Sequence, residues 1–367
     1  MKVLIDNYDS NQLNSIQLKE QIDGLERKIQ DQVKIGLLSR IFKSKEAKEK
    51  IILDKVNEAK MNLIASYSEG LWRDFPLSNG KGKEREEHYH RFLMVADGLY
   101  PKARICSYFY DCYPRNIVGL NGLKLLINHF NQKEDYLGAL KNADAVTLEE
   151  FEREIQQWNA PIASEEREFL VQISGKHITP VFVKRFEGKS QVVTLDSLGE
   201  SDGHSYGTDI ENILRARMEG PIEVYKFIDQ RQRDGTSCPI FSLRDLLEHK
   251  KKSLFDYIDQ KKKSEERTNY IKNHFKCNSD SYLLLNLPAS FLKVAQDIST
   301  LYKYQDSPEL VSASPKASPR DRLHVSEVKM GRTLKDLKDD YGQTNYTRQR
   351  AYKYYSIIIN NALKSSH

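Results

Sequence analysis

Proline is missing from the first 75 residues; the first is Pro76. That absence leaves a long stretch in which nothing breaks a helix. Cysteine is scarce, with four residues in 367: Cys106, Cys112, Cys238 and Cys277. None forms a CxxC pair, which excludes a zinc ribbon. So few in so long a chain exclude a disulfide framework, and free thiols in a reducing compartment are expected. No apolar run reaches about 18 residues, so no membrane-spanning helix is expected. The start, MKVLIDNYDS, lacks a basic segment followed by an apolar one, so no cleavable signal peptide is expected. The glycines form no phosphate-loop pattern. His88 and His90 make an HxH pair with no further ligand cluster, so no metal is expected. The net charge is only +5 and comes from local lysine clusters. That excludes a strongly basic nucleic-acid-binding domain, and it points to a phosphate-bearing ligand only where lysines converge. There is no internal repeat.

What is present divides the chain into four parts. Residues 1–87 form a helical region. Ile16, Leu18, Ile22, Leu25 and Ile29 recur at three- and four-residue spacing, and Lys and Glu fill the other faces. A polar, glycine-bearing connector (74–87) follows. Residues 88–304 mix strands and helices. Residues 305–323 are a Ser/Pro-rich linker, and 324–367 are a basic, tyrosine-rich tail ending in a helix. Inside the second part, 104–110 reads as a strand and 120–130 as a helix. Thr147 and Glu150 read as a capping box opening a helix through Trp158. Three strands are expected over 168–196, the last two joined by a tight turn at Glu187-Gly188-Lys189. A helix over 209–218, a strand over 221–228 and a helix after Cys238 complete the pattern.

Cysteine catalysis needs a thiolate, a base within reach, a group that holds the base, and donors for the oxyanion. The two-stranded hairpin puts His177 at the start of one strand and Asp196 at the end of the next. Two strands of this length return those ends to one edge. Cys238 is expected at the N-cap of its helix, with Pro239 at the first helical position, where a missing N–H costs nothing. A helix N-terminus favours a thiolate. Gln232, six positions before Cys238, is placed to donate its amide to an oxyanion beside the Cys238 N–H. Singly, each residue has an ordinary structural reading: a buried thiol, an edge histidine, a turn aspartate. Their order on converging elements gives them value.

The segment 229–243 (DQRQRDGTSCPIFSL) resembles the cysteine motif of YopJ-type effector acetyltransferases. His177 and Asp196 stand at that family's histidine and acid positions. Residues 93–101 (LMVADGLYP) and 287–296 (LPASFLKVAQ) resemble two flanking segments, so the likeness spans about 90–304. This sequence departs at Pro239 (usually glycine), Asp196 (usually glutamate), Val294 (usually histidine) and Ile178 (usually aromatic), and its stretch from Pro101 to His177 is long. The resemblance implies an α+β, Ulp-type cysteine-protease-like fold with a central, mostly antiparallel sheet. It implies acetyl transfer from acetyl-CoA to a Ser, Thr or Lys of a host protein. It also implies delivery as an effector into the host cytoplasm. Inositol hexakisphosphate is implied as a second ligand, with Lys250, Lys251 and Lys293 as candidate contacts. Lys176, Lys184 and Arg185 are candidates for the coenzyme A phosphates. SUMO and ubiquitin-like proteases share the triad order, so a peptidase cleaving ubiquitin or a ubiquitin-like modifier is the alternative. A catalytically inert, partner-binding relative is a third.

Overall fold

The computed structural model describes 101–111, 117–158, 165–173, 177–199, 207–227, 229–232, 235–265, 281–284, 287–292, 295 and 346–365, with scattered positions between 20 and 100. It divides into two units. One comprises Met1–Ser107, Asp111–Asn116 and Tyr352–His367; the other Tyr108–Tyr110 and Ile117–Ala351.

In the first unit the described residues between 20 and 64 are helical. Val56, Ala59, Ile64, Leu93 and Ala96 are buried, as are Tyr354, Ile358, Ile359 and Ala362 near the C-terminus. The Tyr100 hydroxyl donates to the Asn57 carbonyl at 3.2 Å. No helix among the described residues is long and apolar enough to cross a membrane. His88, His90, Cys112, Cys277, Lys176, Lys293 and the linker 305–323 lie outside the described residues.

In the second unit the elements run β1 (Phe109–Asp111), β2 (Ile117–Val118), α1 (Leu120–Asn131), β3 (Ala143–Thr147) and α2 (Leu148–Gln157). They continue with β4 (Glu165–Gln172), β5 (Ile178–Phe186), β6 (Lys189–Thr194), α3 (Gly207–Arg217), β7 (Ile222–Phe227) and α4 (Cys238–Lys251). Then come α5 (Leu254–Glu265), β8 (Ser281–Leu284), α6 (Ala289–Leu292) and α7 (Tyr346–Ser365), the last shared with the first unit. β3 to β8 form one six-stranded sheet in sequence order. The sheet is mixed. β4–β5 and β5–β6 are antiparallel, while β3–β4, β6–β7 and β7–β8 are parallel. The expectation of a mostly antiparallel sheet is corrected to that extent. The reason is connectivity: α2 and α3 are crossover helices, and a crossover returns the next strand in the same direction. β3 and β8 are strands that the sequence pattern does not announce.

Local chemistry explains the elements that the sequence does announce. Thr147 Oγ1 accepts the Glu150 N–H at 3.1 Å, and Glu150 Oε2 accepts the Thr147 N–H at 2.9 Å, so the capping box is complete. Glu187 and Gly188 take φ +48° and +73° at the β5–β6 turn. Two left-handed residues suit a tight hairpin, because their twist matches that of the strands. Gly220 has a different reason to be glycine. A Cβ there would sit 2.5 Å from the Gly188 carbonyl oxygen. The stretch 104–110 is corrected: Ile105–Tyr108 is a 3-10 turn, and only Phe109 onward is strand. Arg104, left-handed at φ +46°, ends the preceding turn and starts this one.

Side chains alternate across the strands with period two. Val181, Val183, Val171 and Val192 face α2 and α3 and bury Phe151, Ile155, Trp158, Ile210 and Leu214. α4 packs across β5 on the other face. It is buried along most of its length, from Cys238 to His249. The nucleophile candidate thus starts the central helix of the unit.

Candidate active site

His177, Asp196, Gln232 and Cys238 come together at one end of the sheet. The hairpin supplies the first two. His177 precedes β5 and Asp196 follows β6, and the His177 Nε2–H donates to Asp196 Oδ1 at 3.2 Å. A carboxylate only accepts, so the proton on that nitrogen is settled. Asp196 Oδ1 also accepts the Leu198 N–H at 2.9 Å. His177 is also hydrogen-bonded to Cys238.

What brings the thiol to the imidazole is one turn of helix. Ser242 lies four residues after Cys238, on the same helix face. Its hydroxyl donates to the Ile178 carbonyl at 2.8 Å, in the buried layer between α4 and β5. Ile178 follows His177, so this bond registers the start of the helix against the start of the strand. Cys238 is the first helical residue, and Ser237 is the N-cap. This shifts the expected assignment by one position. The Ser237 carbonyl accepts the Phe241 N–H at 3.1 Å, and that bond makes Ser237 the cap. Pro239 is then the second helical residue, where an N–H would still lack an intrahelical partner. Having none, Pro239 offers nothing to an oxyanion.

Burial alone pulls the His177 ring toward neutrality. The hydrogen bonds and charges of Asp196 and Cys238 override it and push the ring from 6.5 up to about 9. The folded protein therefore favours the charged ring. The stabilisation is fully present below pH 6.5 and is lost as pH rises through about 9. The expected loss is at most about 3 kcal/mol from the size of that shift. It should appear as a melting-temperature gap between wild type and His177→Gln that narrows from pH 6 to pH 10. A gap that stays constant with pH contradicts this charge state.

Tyr110 carries no signal in the sequence. Its hydroxyl donates to Gln172 Oε1 at 2.6 Å, and Gln172 pairs with Ile178 in the β4–β5 ladder. Burial pushes the phenol up to about 12 against the Leu120 amide, and the charge of Cys238 adds to the rise. A second feature that sequence reasoning misses is the buried Arg231–Asp245 pair. Arg231 Nη1 and Nη2 donate to the two Asp245 oxygens at 2.5 and 2.8 Å. Asp245 is two turns beyond Cys238 on α4, so the pair ties the Gln232 segment to the nucleophile's helix. No sequence pattern announces such a pair; it depends on which loop crosses which helix.

The basic candidates lie elsewhere. Arg185 is eight residues along β5 from His177, roughly 25 Å at strand rise. Its guanidinium donates to the Trp158 carbonyl, and Lys184 lies over the Phe255 ring at 5.6 Å. The extended strand places both well away from His177. Lys250 and Lys251 end α4, roughly 18 Å from Cys238 at helical rise. Lys250 donates to buried Glu168. Lys251 is exposed, over the Tyr136 ring at 5.1 Å.

At that far end Glu166, Glu168 and His249 bring ligand-type atoms within 4.8 Å of one another. His249 Nδ1 accepts the Leu254 N–H at 3.1 Å, so Nε2 carries the proton it gives Glu166 at 2.8 Å. A nitrogen in that state has no lone pair for a metal, and the Lys250 ammonium already supplies positive charge. Burial pushes the Glu168 carboxyl up to about 7 against the pull of Lys250, with Glu166 adding to the rise.

The sequence profile of the family described as YopJ Serine/Threonine acetyltransferase matches residues 117–360. No curated protein matches the chain. Among solved structures, AvrA delL154 with IP6 and CoA is similar at 18% identity and TM-score 0.42, covering 82% of this chain and 98% of that one. HopZ1a in complex with IP6 is similar at 11% identity and TM-score 0.48, covering 84% of this chain and 98% of that one.

Proposed function

The chain belongs to the YopJ serine/threonine acetyltransferase family, and from that premise we propose that Cys238 carries an acetyl group from acetyl-CoA to a hydroxyl or amine of a host protein. The observation that supports this most is the pair of contacts on one buried ring. His177 holds Asp196 through Nε2 and is hydrogen-bonded to Cys238.

In this reading the Cys238 thiolate attacks the thioester carbonyl. A C–S bond forms, the oxygen becomes an oxyanion, and the Cys238 N–H and Gln232 amide donate to it. The oxyanion collapses, the bond to coenzyme A breaks, and the leaving thiolate takes the proton from His177. His177, now neutral, receives the proton of the acceptor hydroxyl as that oxygen attacks the acetyl-enzyme. The Cys238 thiolate leaves and the starting pair is restored. Asp196 keeps the ring oriented through both halves. We assign this chemistry to 88–304, and place the protein as an effector in the host cell.

Inositol hexakisphosphate enters the same proposal as a ligand of the lysine-rich region. Its support is Lys251 rather than Lys250, whose charge Glu168 engages. The family is one of acetyltransferases, and no observation favours the peptidase reading.

Mass spectrometry after mixing the protein with acetyl-CoA is the direct test, run with and without inositol hexakisphosphate. The expected result is an acetyl thioester on Cys238, labile to hydroxylamine. Capture of Cys238 by a ubiquitin or SUMO C-terminal probe, with no acetylation in parallel, overturns the proposal. No effect of inositol hexakisphosphate on rate or melting temperature removes that ligand alone.

A further inference from the structure

Three hydrogen bonds from one residue converge on the segment that carries Gln232. Ser197 directly follows Asp196. The two sit in a tight turn closed by the Gly199 N–H, which donates to the Asp196 carbonyl at 3.1 Å. From that turn the Ser197 carbonyl accepts the N–H groups of Arg231 and Gln232 at 2.9 and 2.8 Å. The Ser197 hydroxyl donates to Gln232 Oε1 at 2.6 Å. Ser197 is 2% exposed and Gln232 0%, so water does not compete for these groups.

A carboxamide has an accepting end and a donating end, and its terminal torsion is broad and roughly two-fold. Unless something selects one orientation, Gln232 presents oxygen as readily as nitrogen. An oxygen facing a developing oxyanion repels it. With Oε1 held by the Ser197 hydroxyl, the NH2 is the end turned away from Ser197. The backbone bonds fix the height of the segment, and the Arg231–Asp245 pair anchors it to α4. The turn that presents Asp196 to His177 is thus the same turn that orients Gln232.

We propose that Ser197 is a positioning residue for acyl transfer, locking the Gln232 carboxamide with its NH2 toward the oxyanion formed at Cys238. This rests on the acyl-transfer reading above. It goes beyond that reading by assigning a residue outside the triad to oxyanion stabilisation, and by giving base and oxyanion donor one shared support.

The test compares two reactions of Cys238 that differ in needing an oxyanion. Acylation by acetyl-CoA or p-nitrophenyl acetate passes through one; alkylation by iodoacetamide does not. Ser197→Ala should slow acylation roughly tenfold or more, since losing an oxyanion donor outright costs about 10²–10³. The KM for acetyl-CoA and the alkylation rate should stay within about twofold of wild type, because neither depends on the oxyanion donor. Ser197→Thr, which keeps the hydroxyl, should recover most of the rate. In a Gln232→Ala background, Ser197→Ala should cost nothing more, because residues acting as a unit are not additive. Wild-type acylation in Ser197→Ala overturns the proposal. So does an equal fall in acylation and alkylation, which marks general loosening, or a multiplicative loss in the double variant. Two acyl donors are used so that the readings fail separately: p-nitrophenyl acetate reports on the oxyanion even in a protein that refuses acetyl-CoA.

Discussion

Cys238→Ala should abolish acetyl transfer, with a fall of at least about 10³-fold, the scale seen when the nucleophile of a coupled triad is removed. The size of the effect follows from the mechanism. The acetyl group has no other route, because His177 and Asp196 act only on the thiol and on the incoming acceptor. The substitution removes a sulfur from a tight, buried helix start, so folding must be checked by circular dichroism. Cys106→Ala serves as the comparison; that cysteine is half-buried and belongs to the other unit. It should keep most of the rate. Labelled acetyl-CoA with a model acceptor is the assay. A Cys238→Ala protein that transfers acetyl at the wild-type rate removes the nucleophile assignment, and with it the roles given to His177 and Gln232.

The largest stability effect is expected at Asp245. Its side chain is 1% exposed and its partner Arg231 is 0% exposed. The Arg231 guanidinium also lies 5.7 Å from the Phe241 ring centroid. Asp245→Ala strands a buried guanidinium, which typically costs about 3–5 kcal/mol. Urea denaturation should show the midpoint fall accordingly. Replacing both residues with apolar ones of similar volume, Arg231→Met with Asp245→Leu, should recover most of the loss, because a buried pair is weak as net stabilisation. A loss below about 1 kcal/mol for Asp245→Ala, the level of an exposed pair, shows that the guanidinium finds water or another partner.

The features legible in the amino-acid sequence share a property: each is local. Thr147 and Glu150 lie three residues apart and satisfy each other's N–H groups. Glu187 and Gly188 form the whole of a turn. His177 and Asp196 meet because a tight turn leaves two strands no freedom in where their ends return. Gln232 is read from the same short segment as Cys238, six residues before it. The one-position shift at Cys238 also fits this pattern. Helix existence follows from pattern, but its first residue depends on which carbonyl accepts the first N–H.

The features that are not legible there need distant segments to meet. β3 and β8 are short, and what makes them strands is a neighbour already in the sheet. The parallel pairings follow from crossovers whose landing place no local signal encodes. Lys184 and Arg185 look close to His177 when counted along the chain. Because β5 is fully extended, they end up at the opposite end of that strand. Lys250 reads as a free cation until β4 brings buried Glu168 beneath it. Ser197 reads as an ordinary turn residue until the segment 229–232 crosses above it. By itself the sequence determined the chemistry available, namely a thiol at a helix start, an imidazole and carboxylate on one hairpin, and an amide upstream. Only the tertiary structure decided which charges remain available and which side chain orients that amide. Charge neutralisation and hydrogen-bond direction depend on atoms within about 3 Å, and those atoms come from residues far apart in the chain.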